Sequence, residues 1–166
     1  MRRVVLAILF MLLPATAMAE TANDAIIALR SLVKITANGT SYQVYASCLA
    51  EVKPEVDAYL KSDAAKQNKK LSQAIAKTLG LFEYADSFFK RIDESKNQIS
   101  LGDDASPAEK KVVSEYFSRF PEDKQDVTAG GVLVERNGSK LRVNAALSKI
   151  FSRASAEYAK AAGMTN

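Results

Sequence analysis

Apolar residues recur at alternating steps of three and four along much of the chain, which is the spacing of a helix that buries one face. One series, here called the first seam, comprises Tyr42, Tyr45, Leu49, Val52, Val56 and Tyr59. The second seam comprises Leu71, Ile75, Thr78, Phe82, Ala85, Phe89 and Ile92. The first seam predicts a helix that kinks at Pro54 without breaking. The second predicts one long, continuous helix that starts at a cap on Ser62 or Asp63.

Three further segments carry helical signals. Residues 21–36 place apolar side chains on one face behind a polar cap. The run Ser106-Pro107-Ala108-Glu109 combines an N-cap serine, a proline at the first helical position and a glutamate at the third. The helix that follows it ends before Pro121, and residues 145–162 predict a closing helix. The apolar pattern therefore predicts about five helices.

The pair Asn38-Gly39 separates the first two predicted helices, because these residue types favour the left-handed conformation that ends a helix. Thr40 and Gln43 then fit a capping box at the start of the next helix. A rival interpretation makes Asn38-Gly39 the turn of a β-hairpin, with Ile35 opposite Tyr42 and Val33 opposite Val44. We favour helix–turn–helix because the first seam accounts for more of the apolar positions, and we keep an α+β fold with this second hairpin as the alternative.

A change of pattern near residues 131–144 predicts one small β-hairpin. Short apolar runs flank Asn137-Gly138, a pair typical of a type I′ turn. That turn aligns three pairs across the strands, Val134 with Leu141, Val132 with Val143, and Glu135 with Lys140. The predicted fold class is therefore mainly α, an antiparallel helical bundle of about five helices with this hairpin packed against it.

The N-terminus has the three parts of a secretory signal peptide. Arg2 and Arg3 precede an apolar run over residues 4–13, and Ala17-Met18-Ala19 supplies small residues at the cleavage positions. The apolar run is too short to span a bilayer, so we expect no membrane-spanning segment. These features predict cleavage after Ala19, one helical domain over residues 20–166, and a periplasmic or secreted location in a bacterium.

Composition mainly excludes classes of chemistry. The chain has 166 residues with no histidine, and Cys48 is its one cysteine, so a histidine base, an intramolecular disulfide and a Cys/His zinc site are excluded. A net charge of +4 is too small for a nucleic-acid-binding surface. The run Ser87-Phe88-Phe89-Lys90 matches the Ser-x-x-Lys spacing of penicillin-recognising enzymes, but it lies in the middle of a predicted helix. We expect no catalytic residues, no cofactor and no metal.

The candidate partner surface combines tyrosines with lysines. The tyrosines lie on the first seam, where core packing is their default role and an aromatic surface for a partner is the alternative. The lysines belong to the densest basic cluster, which is either a solvated helix face or a contact for an anionic partner and comprises Lys61, Lys66, Lys69, Lys70 and Lys77. The residues concerned are Tyr42, Tyr45, Tyr59, Lys66, Lys69 and Lys70.

The expected function is that of an exported, non-enzymatic helical protein that binds another envelope or secreted protein, as inhibitors, immunity proteins and chaperones do. Helical seams and a hairpin edge are typical recognition surfaces, and the sequence offers no catalytic constellation. The alternatives are a carrier of a small apolar ligand between helices and a histidine-free hydrolase. Cys48 is expected to be a buried, unreactive thiol, although a homodimer through Cys48 or through the helix seams is also compatible with the sequence.

Overall fold

The structure is a computed structural model that describes residues 21–92, 98–135 and 139–165. The predicted signal peptide and the Asn137-Gly138 turn lie outside these ranges. The described residues form seven α-helices, one 3-10 turn and two short strands. In chain order these are α1 (Ala22–Ala37), α2 (Tyr42–Lys61), α3 (Asp63–Gln67), α4 (Lys69–Arg91), β1 (Gln98–Ser100), α5 (Pro107–Arg119), the 3-10 turn (Pro121–Asp123), α6 (Lys124–Thr128), β2 (Lys140–Arg142) and α7 (Val143–Ala162). The mainly α fold class is confirmed.

The connection between α1 and α2 is the predicted helix–turn–helix. α1 ends at Ala37, and Gly39 has a φ of 74°, the left-handed conformation that glycine adopts without steric cost. The predicted capping box at Thr40 and Gln43 is wrong, because the N-cap of α2 is Ser41. The Ser41 side chain accepts a hydrogen bond from the backbone N–H of Val44. α2 then continues through Pro54 to Lys61.

The predicted single helix after Ser62 is interrupted at Asn68. This residue ends α3 with a non-helical backbone, and its side chain accepts a hydrogen bond from the N–H of Leu71 as the N-cap of α4. Asparagine competes for backbone hydrogen bonds in this way, which favours helix ends over helix interiors. After Asn68 the second seam is helical as predicted, and α4 continues through Gly80 without a break.

α4 lies at the centre of the molecule and packs against α1, α2 and α7. All residues of the first seam are buried except Tyr42, which is half-buried, and all of the second are buried except Phe89, which is also half-buried. α4 and α7 run antiparallel, because Lys77 pairs with Glu157 at one end and the Phe89 ring lies 6.4 Å from the Phe151 ring nearer the other. The heptad spacing therefore identified the buried faces of the two central helices.

The small sheet differs from the predicted hairpin in its pairing. β2 pairs antiparallel with β1, with Leu141 opposite Ile99, so the main partner of β2 is distant in sequence. The predicted alignment of Val134 with Leu141 is present as an isolated bridge. The predicted pairing of Val132 with Val143 is wrong: Val132 is 70% exposed, and Val143 is the first residue of α7. β2 therefore bonds on both edges, to β1 on one side and to residues 133–135 on the other, where the Arg142 N–H donates to the Leu133 carbonyl over 2.8 Å.

Candidate functional site

A groove of about 430 Å³ lies where the C-terminal end of α1, residues 39–40, the end of α4 and the first half of α7 meet. We call it the hydroxyl groove, because five serine and threonine residues line it. Its position follows from the antiparallel packing described above. α1 ends at Ala37 while α7 extends beyond that end, so within the described residues no helix covers this part of α7.

The floor of the hydroxyl groove is apolar and aromatic. Phe89, Leu147 and Phe151 line it, and both phenylalanines are half-buried. Tyr42 and Tyr45 support these rings from the first seam: the Tyr42 ring lies 5.3 Å from Phe89, and the Tyr45 ring lies 5.4 Å from Phe151. Tilted rings at these separations stabilise one another beyond simple area burial. The floor of the groove is therefore continuous with the aromatic packing of the first seam.

The α7 wall of the groove carries a polar stripe, defined as Asn144, Ser148, Ser152 and Ser155. The intervals of four, four and three residues place these side chains on one face of the helix. Within the described residues, none of the four side chains forms a hydrogen bond with another part of the chain. The threonine across the groove differs, because the Thr36 hydroxyl donates to the Leu32 carbonyl over 2.8 Å. The polar stripe is thus available to a bound molecule.

Charge is the third property of the site. Among the described residues that line the hydroxyl groove none is charged, although a quarter of the chain is Asp, Glu, Lys or Arg. Covering a charged group in such a groove would remove its water without supplying a counter-charge, which costs free energy. An uncharged ligand meets no such penalty, and its polar groups find donors and acceptors on the polar stripe.

The structure separates the residues of the predicted partner surface. Tyr45 and Tyr59 are fully buried, so their rings pack in the core instead of facing a partner. The Tyr45 hydroxyl donates to the Phe82 carbonyl over 2.5 Å, and burial raises the pKa of this phenol. Tyr42 is half-buried and packs beside Phe89, which lines the hydroxyl groove.

The predicted lysines lie at the other end of the bundle from Tyr42. Lys66 pairs with Asp63 over 2.6 Å, and Lys69 and Lys70 are exposed in the first turn of α4. Along α2 the distance from Tyr42 to Lys61, at this end, is about 28 Å at 1.5 Å per residue. The tyrosine and the lysines therefore do not form one continuous surface.

A second polar cluster joins the 3-10 turn to α7 around the buried carboxylate of Asp123. This carboxylate accepts hydrogen bonds from the Tyr116 hydroxyl over 2.6 Å, from Arg153 over 2.7 and 3.0 Å, and from Lys149 over 3.2 Å. Burial raises the pKa of Asp123, but the hydrogen bonds from Arg153, Tyr116 and Lys149 outweigh it and hold that pKa below the ordinary value. The Arg153 guanidinium also stacks on the Phe120 ring, 4.4 Å from its centroid. Because the Asp123 side chain is 2% exposed and accepts four hydrogen bonds from residues of α5 and α7, we interpret this cluster as a stabilising contact between these helices and the 3-10 turn.

The remaining chemical candidates from the sequence are placed as follows. The Ser87 hydroxyl donates to the Tyr84 carbonyl over 2.8 Å, and Lys90 pairs with Asp86 over 2.7 Å, so each is engaged by another group. Cys48 is a free, half-buried cysteine on the flank of the first seam, and burial, followed by the nearby Glu51, raises the pKa of its thiol. In the described ranges, no group of three or more acidic or cysteine side chains is arranged to hold a metal ion.

Comparisons with known proteins give no match. No protein-family model, no curated protein and no solved structure matches the chain. Within the residues that the structure describes, no helix combines the length and apolar character needed to cross a membrane. The function is therefore argued from the geometry of the site.

Sequence reasoning missed both the polar stripe and the Asp123 cluster. The four-residue spacing of Asn144, Ser148 and Ser152 was readable once residues 145–162 were predicted as a helix. This spacing forms part of a groove only because the packing of the helices brings Phe89 and the end of α1 next to these α7 residues. The partners of Asp123 lie up to thirty residues away, and no local spacing signals them.

Proposed function

We propose that this chain is an exported binding protein without a catalytic role, and that its hydroxyl groove holds an uncharged stretch of another envelope or secreted protein. The observation that carries the proposal is the uncharged groove with an aromatic floor. The centres of protein–protein interfaces have this composition, since they are depleted of charged residues and enriched in aromatic ones. The unused donors and acceptors of the polar stripe supply the polar contacts that such an interface also needs.

Export is part of the proposal and is tested separately. The signal-like N-terminus supports cleavage after Ala19, so the exported protein should begin at Glu20. Intact-mass measurement of protein recovered from the periplasm or the medium checks this. Recovery of uncleaved chain from the cytoplasm would contradict both the location and the class of partner.

A carrier of a small uncharged ligand is the second candidate, favoured by the size of the groove. A volume of about 430 Å³ lies within the range of small-molecule sites. The groove is open along one side, however, and small-molecule sites usually enclose most of the ligand surface. We therefore place the protein partner first.

The test uses two matched charge insertions at exposed serines within helices. Ser148→Arg places a charged side chain in the hydroxyl groove, whereas Ser114→Arg places one on α5, outside the groove. Tagged wild-type and variant proteins are used for affinity capture from an envelope extract of the producing bacterium, followed by mass spectrometry. We expect a partner captured by the wild type and by Ser114→Arg but lost with Ser148→Arg. Equal capture by all three proteins would place the binding surface elsewhere.

A further inference from the structure

The chain between α4 and α7 forms a lobe beside the packed helices. We call it the insertion lobe and define it as residues 98–135 and 139–142, which contain β1, α5, the 3-10 turn, α6 and β2. We infer that the insertion lobe opens as a hinged unit while α1, α2, α4 and α7 remain packed, and that an ionic clasp on α7 holds it shut. Among the described residues that line the hydroxyl groove none belongs to the insertion lobe, so this hinge goes beyond the proposed function.

The small sheet sets the position of the hinge. β1 is the first element of the insertion lobe and β2 is the last, and Gln98 lies opposite Arg142 in their antiparallel pair. The chain therefore enters and leaves the insertion lobe at two positions that lie side by side. The bonds next to this pair also stay inside the lobe, since the Leu101 N–H donates to the Ser139 carbonyl over 2.9 Å. The insertion lobe can turn about its base without losing its own sheet.

The four long helices pack mainly on one another. α4 packs against α1, α2 and α7, and α1 packs against α2 and α7. The insertion lobe covers one side of α4, where the Tyr116 ring lies 5.7 Å from Phe88 and the Phe120 ring lies 5.7 Å from Tyr84. Opening would uncover this aromatic face of α4 and leave the contacts among the four helices intact.

α5 is also held by fewer buried side chains than the helix it covers. α5 buries Val112 and Tyr116 among its 13 residues, whereas α4 buries nine side chains among its 23. Segments that open below the free energy of global unfolding are those with few buried apolar contacts. The insertion lobe therefore has the packing of a unit that opens before the four helices separate.

The ionic clasp consists of Glu122, Asp123 and Asp126 of the insertion lobe with Lys149 and Arg153 of α7. Arg153 donates to Glu122 over 2.8 Å and to Asp123 over 2.7 Å, and Lys149 pairs with Asp123 and Asp126. The two α7 residues lie about 9 and 15 Å along the helix from its first residue, where the insertion lobe ends. The ion pairs thus hold the side of the lobe that lies away from the hinge. Desolvation offsets much of the attraction between such charges, so they close the lobe less strongly than apolar packing would.

Native-state hydrogen exchange of the full chain, measured by mass spectrometry at low urea concentrations, tests the hinge. Opening of the insertion lobe exposes its amides without global unfolding. We therefore expect α5 to exchange faster than the first half of α4, through an opening that depends less steeply on urea because it exposes less surface. Equal exchange free energies and equal urea dependence in the two helices would overturn the hinge, because the chain would then open only as one unit.

Ser41→Ala tests whether the two parts open separately. It removes the N-cap of α2 and so weakens the four packed helices without touching the insertion lobe. Exchange in the first half of α4 should become about fivefold faster, and exchange in α5 should be unchanged, because the insertion lobe opens while α2 is still folded. An equal acceleration in α5 would also overturn the hinge.

Asp123→Asn tests the clasp. Loss of the buried charge should speed exchange in α5 by about 30- to 140-fold. The matched control is Glu122→Gln at the exposed side of the clasp, which should change exchange in α5 by less than about threefold. Unchanged exchange of α5 in Asp123→Asn would overturn the ionic clasp as the contact that holds the insertion lobe shut.

Discussion

Replacing Asp123 with asparagine removes one negative charge from a buried position without changing the size of the side chain. The Asp123 side chain is 2% exposed and accepts four hydrogen bonds from Tyr116, Arg153 and Lys149. Breaking a buried ion pair by removing one partner typically costs about 3–5 kcal/mol. Arg153 and Lys149 keep Glu122 and Asp126 as partners and remain about a quarter to a third exposed, which reduces the penalty. We expect Asp123→Asn to lower the free energy of unfolding by about 2–3 kcal/mol at pH 7.

Urea unfolding followed by circular dichroism measures this change. With an m-value of about 2 kcal/mol/M, the midpoint should fall by more than about 1 M. The matched control is Glu122→Gln, which removes a carboxylate that is 60% exposed and pairs with the same Arg153 over 2.8 Å. Exposed ion pairs contribute little, so this variant should change stability by less than about 0.5 kcal/mol.

The lowered pKa of Asp123 determines how the stability difference between wild type and Asp123→Asn should depend on pH. The pKa of Asp123 is lower in the folded protein than the value of about 3.9 for an unfolded chain. Its stabilisation is therefore complete above about pH 5 and is lost as the pH falls through the folded-state pKa. The difference between wild type and Asp123→Asn should stay constant from pH 5 to 7 and narrow below about pH 4. A variant as stable as wild type at pH 7, or a gap that widens in acid, would refute this account of the cluster.

Further predictions concern two glycines, the N-cap of α2 and the Cys48 thiol. Gly80→Ala should raise the free energy of unfolding by up to about 1 kcal/mol, and with it the melting temperature, because a Cβ at this helical position meets no atom within 4 Å. Gly39→Ala should lower the free energy of unfolding by about 1 kcal/mol, because the φ of 74° is strained for alanine. Ser41→Ala should lower the free energy of unfolding, measured in urea, by about 1 kcal/mol, because it removes the N-cap of α2. Thr40→Ala should lower it by less than half of that amount. A larger loss for Thr40→Ala than for Ser41→Ala would support the capping box predicted from the sequence. The Cys48 thiol should react with Ellman's reagent more slowly in the native protein than in urea, and a band of twice the mass on a non-reducing gel would establish a disulfide-linked dimer instead.

The sequence predicted those features that depend on neighbours along the chain. The seams identified the buried faces of α2 and α4, and Asn38-Gly39 marked the end of α1, because both are properties of one helix and its ends. The serine cap, the first-turn proline and the glutamate of α5 were also read correctly, and the Ser106–Glu109 capping box is present. In each case the deciding interaction spans four residues or fewer.

Features that depend on distant neighbours were predicted poorly. The pairing of β2 with β1 could not be predicted from local sequence, because Ile99 is distant along the chain and packing against α5 brings β1 to that edge, whereas the bridge from Leu141 to Val134 was predicted across the Asn137-Gly138 turn. Asn68 gave a weak signal, because asparagine is tolerated within helices and the preference for a cap is decided by packing. The hydroxyl groove is a third case: the sequence contains its residues, but the ends of three helices determine that they meet.

The contact between α1 and α7 has a consequence for the order in which the chain can fold. Arg30 donates to the Tyr158 hydroxyl over 3.1 Å, so the first and last helices of the described chain meet across 128 positions. Until α7 is present, α1, α2 and α4 can pack on one another, but α1 and α4 each leave exposed the surface that α7 covers in the complete fold. A chain truncated before residue 143 should therefore remain open to proteases and chaperones despite containing six of the seven helices. Completion of the fold is therefore delayed until α7 has been synthesised and released from the ribosome.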